Sequence, residues 1–170
     1  METIIIVFYF VHPDGAVQHY DKKHLFTFGG EHKRFTAGTE RVVVNFRGVR
    51  ILLEVCYDLR FPVWSRNLGD YDMILYVASW PTPPCGCLER AASARAIENQ
   101  CYVAGVNRMG TDPACEYSGG SAIIDPYGKT IAECPWSRES AVSADIDMEA
   151  LQAFRKKFPV LDDADPFTLI

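Results

Sequence analysis

The sequence predicts an α/β fold built as a layered sheet, on three observations. Strand-like runs alternate with helical ones along the chain. One run, Met73 to Ala78, is apolar without a break, as in a strand covered on both faces. Two turn sequences, His12-Pro-Asp-Gly15 and Asp125-Pro-Tyr-Gly128, join neighbouring strands into hairpins. No segment repeats and none is of low complexity, so 170 residues at 48% hydrophobic read as one domain over residues 1–170.

The elements follow in order. Thr3 to Val11 is almost wholly apolar, too short to span a bilayer and without a basic lead-in, so it reads as a buried strand. Its Ile, Val, Phe and Tyr content suits that state. Ala16 to Tyr20 returns as the second strand of the hairpin. Asp21 to Thr39 is polar, aromatic and Gly-containing, which predicts a long loop. Arg41 to Phe46 and Val49 to Val55 are strands joined at Arg47-Gly48. Tyr57 to Leu68 has helical spacing, interrupted by Pro62. Leu88 to Asn99, rich in Ala, Glu and Arg, is a helix, and its Arg95, Glu98 and Asn99 read as structural. Tyr102 to Asn107 is a strand. Gly119 to Asp125 and Lys129 to Glu133 form the second hairpin. Ala141 to Ile146 is a last strand, and Asp147 caps a helix running to about Lys157. Leu161 to Ile170 is a tail with acidic residues at Asp162, Asp163 and Asp165.

Charge and cysteine usage narrow the function classes. With 22 acidic and 17 basic residues the net charge is −5 and no basic stripe exists, which argues against a nucleic-acid partner. No apolar run is long enough to make a membrane partner. The cysteines at 56, 85, 87, 101, 115 and 134 show no C-x-x-C spacing and no histidines grouped with them, so no metal site is expected. Cys85 and Cys87, one residue apart, cannot complete a tetrahedral shell. Reduced thiols in a cytoplasmic protein are the expectation. Nothing signals a cofactor.

Cys56 is the informative cysteine. It follows the buried strand ending at Val55 and precedes a segment with helical spacing. A side chain at such a bend stands at the sheet edge, beside backbone N–H groups that can lower a thiol pKa and stabilise an oxyanion. From spacing alone, a small buried structural cysteine is the alternative.

The wording around it goes further. Cys56-Tyr-Asp-Leu-Arg-Phe-Pro62 resembles the nucleophile motif of the nitrilase superfamily of carbon–nitrogen hydrolases. Tyr20-Asp-Lys-Lys-His-Leu-Phe26 is similar to the family's lysine motif, and Gly30-Glu-His-Lys-Arg-Phe-Thr-Ala-Gly38 to the loop after it. Ala94-Arg-Ala-Ile-Glu-Asn99, Asn107-Arg-Met-Gly110, Tyr117-Ser-Gly-Gly-Ser121 and Asp125-Pro-Tyr-Gly128 match in the same order. The resemblance covers nearly the whole chain and lies nearest the omega-amidase branch, including Phe154-Arg-Lys-Lys-Phe-Pro159. Residues 82–93 depart from the family's usual aromatic-rich stretch.

The resemblance implies a four-layer αββα sandwich and a Glu-Lys-Cys triad. Cys56 matches the nucleophile and Lys22 the lysine, with Lys23 as its alternative. Glu31 matches a second glutamate near the lysine. Tyr57, through its backbone N–H, and Trp80, as a pocket wall, match substrate-contact positions. The implied reaction is hydrolysis of a small omega-amide: the thiolate adds to the amide carbon, ammonia leaves, and water cleaves the thioester. A homodimer through residues 57–68 and 159–170 is also implied. The family's general-base glutamate lies upstream of the strand that here starts at Thr3, and Glu2, Asp14 and Asp21 do not stand in its motif. The chain is therefore expected to lack that base and the N-terminal third of the sandwich, and to be inactive and poorly soluble by itself. Two other readings stand beside the omega-amidase one: a different amide, nitrile or carbamoyl substrate, and a truncated, non-catalytic remnant.

Overall fold

The computed structural model describes residues 3–82 and 87–168. Strands β1 (Val7–Val11) and β2 (Val17–Asp21) pair antiparallel, with Val7 opposite Asp21 and Val11 opposite Val17. The strand expected from Thr3 thus starts at Val7. Before it, the Ile4 and Ile6 carbonyls accept from Thr36 and Lys22, so this stretch binds the following loop. That loop, residues 22–42, holds two short 3-10 turns at Thr27–Gly29 and Glu31–Lys33.

Strands β3 (Val43–Phe46), β4 (Val49–Val55), β5 (Met73–Ala78) and β6 (Tyr102–Asn107) form the middle of the molecule. They are followed by β7 (Met109–Thr111), β8 (Glu116–Ser118), β9 (Ala122–Ile124) and β10 (Thr130–Glu133). One six-stranded sheet runs β10-β9-β6-β5-β4-β3, while β7 and β8 form a separate ribbon. Strands β4, β5 and β6 are parallel, with Val55 beside Val77 and Val77 beside Val106. Their carboxyl ends therefore share one edge, where open α/β sheets place their sites.

Alternation along these strands builds two cores. Leu52, Ile74, Tyr76, Val103 and Ile124 face helix α1 (Cys87–Asn99), against Ala92 and Ala96. Ile51, Leu53, Val55 and Val44 face the other way, against Phe8, Tyr20 and Trp64, so the β1–β2 hairpin covers this side. The layers are helix, sheet and hairpin. Helix α2 (Met148–Lys157) is capped as expected by Asp147, whose carboxylate accepts from the Ala150 N–H at 2.8 Å. Arg155 fastens it to the sheet by donating to Asp72 (2.8 Å), the Tyr71 carbonyl and the Gln100 carbonyl.

Three sequence expectations are corrected. The helix expected over 57–68 does not form; a single 3-10 turn spans Cys56–Arg60. Pro62 has no N–H to extend it, and the chain leaves the turn at Phe61. The strand expected over 141–146 is not one: its side chains are mostly exposed, so burial gives no reward for pairing. The strand expected from Gly119 begins only at Ala122, because Gly119 and Gly120 both take positive φ. Gly120 also lies under the Trp136 ring, which a Cβ would meet at 2.3 Å. The tail contains a 3-10 turn at Val160–Asp163. The side chains of Cys85 and Cys87, and much of the atypical 82–93 stretch, lie outside the described residues.

Candidate active site

Cys56 sits where β4 leaves the sheet. Its φ is +49°, the left-handed region, which costs a non-glycine residue on the order of 1–3 kcal/mol. The turn is held by Asp58, whose carboxylate accepts from the Val55 N–H at 3.0 Å. Beside it, β5 fixes Ser79, whose carbonyl oxygen lies 3.9 Å from the Cys56 sulfur. The two strand ends thus pin the thiol against a backbone acceptor.

Lys22 follows β2 directly. Its N–H donates to the Ile6 carbonyl and its own carbonyl accepts from Gly38, both at 2.9 Å. Glycine is required at 38, since a Cβ there would meet the Asp21 carbonyl oxygen at 2.1 Å. The Lys22 side chain is buried, and Nζ lies 3.0 and 2.7 Å from the two carboxylate oxygens of Glu31. Glu31 also accepts from the Phe26 N–H at 2.8 Å, which orients it. Lys23 turns away, with its ammonium over the Trp64 ring. The structure therefore places Lys22, not Lys23, with Glu31.

The electrostatics of the thiol are mixed. Burial pushes the Cys56 thiol up, the Lys22 charge pulls it down, and the Glu31 and Asp58 carboxylates push it up again. The lowering expected from a helix N-terminus is overridden: burial outweighs it, one 3-10 turn aligns few peptide dipoles, and the thiol pKa is raised on balance. Both carboxylates acting on the thiol are engaged, Glu31 by Lys22 and Asp58 by its hydrogen bonds. The arrangement holds a thiol and a buried ammonium, the group types that nucleophilic acyl transfer and oxyanion stabilisation use.

Tyr57 opens the 3-10 turn beside the thiol, its ring edge-on to Phe26 (5.0 Å) and Phe61 (5.1 Å). The Trp80 ring goes elsewhere. It packs with the helix-side core, 6.4 Å from Tyr76 and over Gly105, while Cys56 packs with the hairpin-side core. The backbone of Trp80 is clamped by Asn107, whose amide accepts from its N–H (2.8 Å) and donates to its carbonyl (3.2 Å). Helix residues Arg95 and Glu98 pair at 2.7 Å, the structural role expected of them.

Two acidic residues near Cys56 stand outside the site expected from the sequence. Glu54, in the middle of the apolar β4 run, is fully buried, and burial together with the Asp58 charge raises its pKa to about 8. Asp58 stands three residues after Val55, the spacing at which an acid closes a helix start, and that was the available signal. Among the described residues, no three His, Cys, Asp or Glu side chains group as a metal site, and no helix is long and apolar enough to cross a membrane.

Comparison with known proteins gives a family and close relatives. The carbon-nitrogen hydrolase family model matches residues 6–156. Omega-amidase YafV of Escherichia coli K12 is 52% identical over 163 residues, covering 95% of this chain and 64% of that protein. A 2-oxoglutaramate amidase of Bacillus subtilis is 38% identical, covering 86% of this chain and 57% of its own length. The crystal structure of XC1258 from Xanthomonas campestris, a CN-hydrolase superfamily protein with an arsenic adduct in its active site, superposes with a TM-score of 0.93. It is 44% identical, covering 97% of this chain and 65% of its own. The chain thus spans 57% to 65% of the length of these relatives. The match over residues 6–156 and the shared fold place it: the chain belongs to the carbon-nitrogen hydrolase family.

Proposed function

We propose that this chain carries the nucleophile and oxyanion cation of an omega-amidase-like amide hydrolase. One observation carries the reading: Cys56 is held in a strained left-handed turn, and the charge of the buried Lys22, paired with Glu31, pulls its thiol pKa down. In this scheme Cys56 attacks the amide carbon and ammonia departs, leaving a thioester that water cleaves. Lys22 and the Tyr57 N–H stabilise the oxyanion, and Glu31 orients Lys22. Trp80, kept as a candidate pocket-wall residue, has its ring on the helix side of the sheet and its backbone clamped by Asn107. The names of the relatives, omega-amidase and 2-oxoglutaramate amidase, support a small omega-amide of a keto-dicarboxylic acid as substrate.

The test is ammonia release from 2-oxoglutaramate by the purified protein and by Cys56→Ala, with peptide mass spectrometry for an adduct on Cys56. Turnover that disappears in Cys56→Ala supports the reading, and turnover that survives it overturns it. A second reading is favoured by the engaged state of Glu31 and Asp58: the chain holds the nucleophile without a working base. It predicts a Cys56 that an electrophile can label while no ammonia is released.

The proposed assembly is a homodimer through residues 57–68 and 159–170. Val63 and Leu68 are 52% and 66% exposed, and Phe158 and Phe167 lie open in or beside the second segment. Sedimentation of the wild type against Val63→Asp tests it, with a monomeric wild type as the contrary result. A cytoplasmic location suits the free thiols of Cys56, Cys101, Cys115 and Cys134.

A further inference from the structure

We propose that Asp58 is a positioning residue that locks the Lys22-bearing segment to the Cys56 turn and so sets the cation against the thiol. This rests on Cys56 and Lys22 being the reacting pair. Asp58 is fully buried, and each carboxylate oxygen has two partners within hydrogen-bond distance. One oxygen accepts from the Val55 N–H (3.0 Å) and the Tyr20 hydroxyl (2.9 Å). The other accepts from the His24 N–H (2.9 Å) and lies 2.8 Å from His24 Nδ1.

Tyr20 and His24 flank Lys22 at equal sequence distance. One carboxylate thus grips the lysine segment at both ends and holds the nucleophile turn as well. The grip matters because the lysine strand β2 and the nucleophile strand β4 belong to different sheets. No ladder fixes their relative register, so side chains must do it. The anchors are rigid in turn. The Tyr20 hydroxyl accepts from the Lys23 N–H (3.1 Å) and the Trp64 indole N–H (3.2 Å). The His24 ring stacks on Phe61 at 3.7 Å with planes 2° apart.

The chemistry selects a carboxylate at this position. Ionised Asp is acceptor-only, with enough lone-pair sites for four donors. An Asn there keeps one acceptor oxygen and turns an NH₂ group toward two donors. The charge of Asp58 itself pushes the thiol up. A purely electrostatic role therefore predicts that neutralising Asp58 makes the thiol more reactive. Positioning through Lys22 predicts the reverse.

The experiment uses the full chain and iodoacetamide as probe, following Cys56 alkylation by peptide mass from about pH 6 to pH 10. Wild type, Lys22→Met, Asp58→Asn and the double variant are compared, with circular dichroism confirming the fold. Lys22→Met is expected to slow labelling at neutral pH about tenfold and to move the profile up by about one pH unit. Asp58→Asn is expected to do nearly the same in the Lys22 background, and nothing further in the Lys22→Met background. Labelling of Asp58→Asn as fast as wild type, or equal slowing in both backgrounds, overturns the positioning role. If Lys22→Met itself changes nothing, the Cys56–Lys22 pairing fails and the positioning role falls with it. Should Asp58→Asn unfold, Tyr20→Phe removes a single hydroxyl and tests the same coupling. It is expected to slow labelling about threefold with Lys22 present and not without it, and no slowing in either background overturns the proposal.

Discussion

Replacing Glu54 by glutamine removes a buried ionisable group two residues from Cys56, and its effect has a defined sign and size. The Glu54 carboxyl is fully buried in β4. One oxygen accepts from the Ser65 hydroxyl at 3.1 Å, and the other has no partner among the described residues. Burial first, and then the Asp58 charge, raise its pKa from 4.5 to about 8. Below pH 4.5 the group is protonated in both folded and unfolded chains and has no pH-linked effect. Between pH 4.5 and 8 the unfolded chain releases the proton and the folded chain keeps it, so stability falls as pH rises. The slope is about 1.4 kcal/mol per pH unit, which sums to roughly 5 kcal/mol before levelling off above pH 8. Glutamine has nearly the same shape and no proton to lose, so Glu54→Gln flattens that slope. Urea unfolding followed by tryptophan fluorescence, at several pH values between about 5 and 8, measures it. A wild type whose stability is level over this window, or a Glu54→Gln variant that keeps the wild-type slope, refutes the reasoning.

Other predictions concern the site and its supports. Glu31→Gln leaves the buried Lys22 ammonium without its counter-charge and is expected to cost about 3 kcal/mol, read by chemical denaturation. Arg155→Ala removes the bonds that fasten α2 to Asp72, Tyr71 and Gln100 and is expected to cost about 2–4 kcal/mol, read by thermal unfolding. Burial opposes ionisation of Asp72, but Arg50 and Arg155 hold its carboxyl below the usual range. The stability it contributes is therefore present above pH 3.8 and lost as pH falls through the lowered value, so Arg155→Ala should narrow the gap to wild type in acid. Gly120→Ala places a methyl group against the Trp136 ring at positive φ and is expected to cost about 1–3 kcal/mol, read as a lower Tm.

The parts legible in the sequence are those with a local physical signature. The unbroken Met73–Ala78 run is the strand flanked by two parallel partners, and the Pro-Gly turns sit where the hairpins bend. Cys56, Lys22 and Glu31 are legible through motif wording, and the fold brings Lys22 and Glu31 into one ion pair whose two charges push the thiol in opposite directions. What was hidden depends on long-range contact. Residues 57–68 have helical spacing, yet the turn ends after Cys56–Arg60, where Phe61 leaves it and Pro62 has no N–H to extend it. Trp80 keeps the parity of Ile74 and Tyr76 and packs on their side, but that this side is the one covered by the helix depends on long-range packing. Glu54 carries no local signal in the sequence, because its side chain is buried with Ser65, eleven residues away, as its hydroxyl donor.

The most direct test of the account is where the acyl group lands. The protein is mixed with an excess of 2-oxoglutaramate, quenched in acid and digested, and each cysteine-containing peptide is weighed. The account predicts a transient mass increase equal to the acyl group, confined to the peptide carrying Cys56 and reduced in Lys22→Met. Acylation spread evenly over Cys101, Cys115 and Cys134, or ammonia release with no adduct on Cys56 at any quench time, would contradict it.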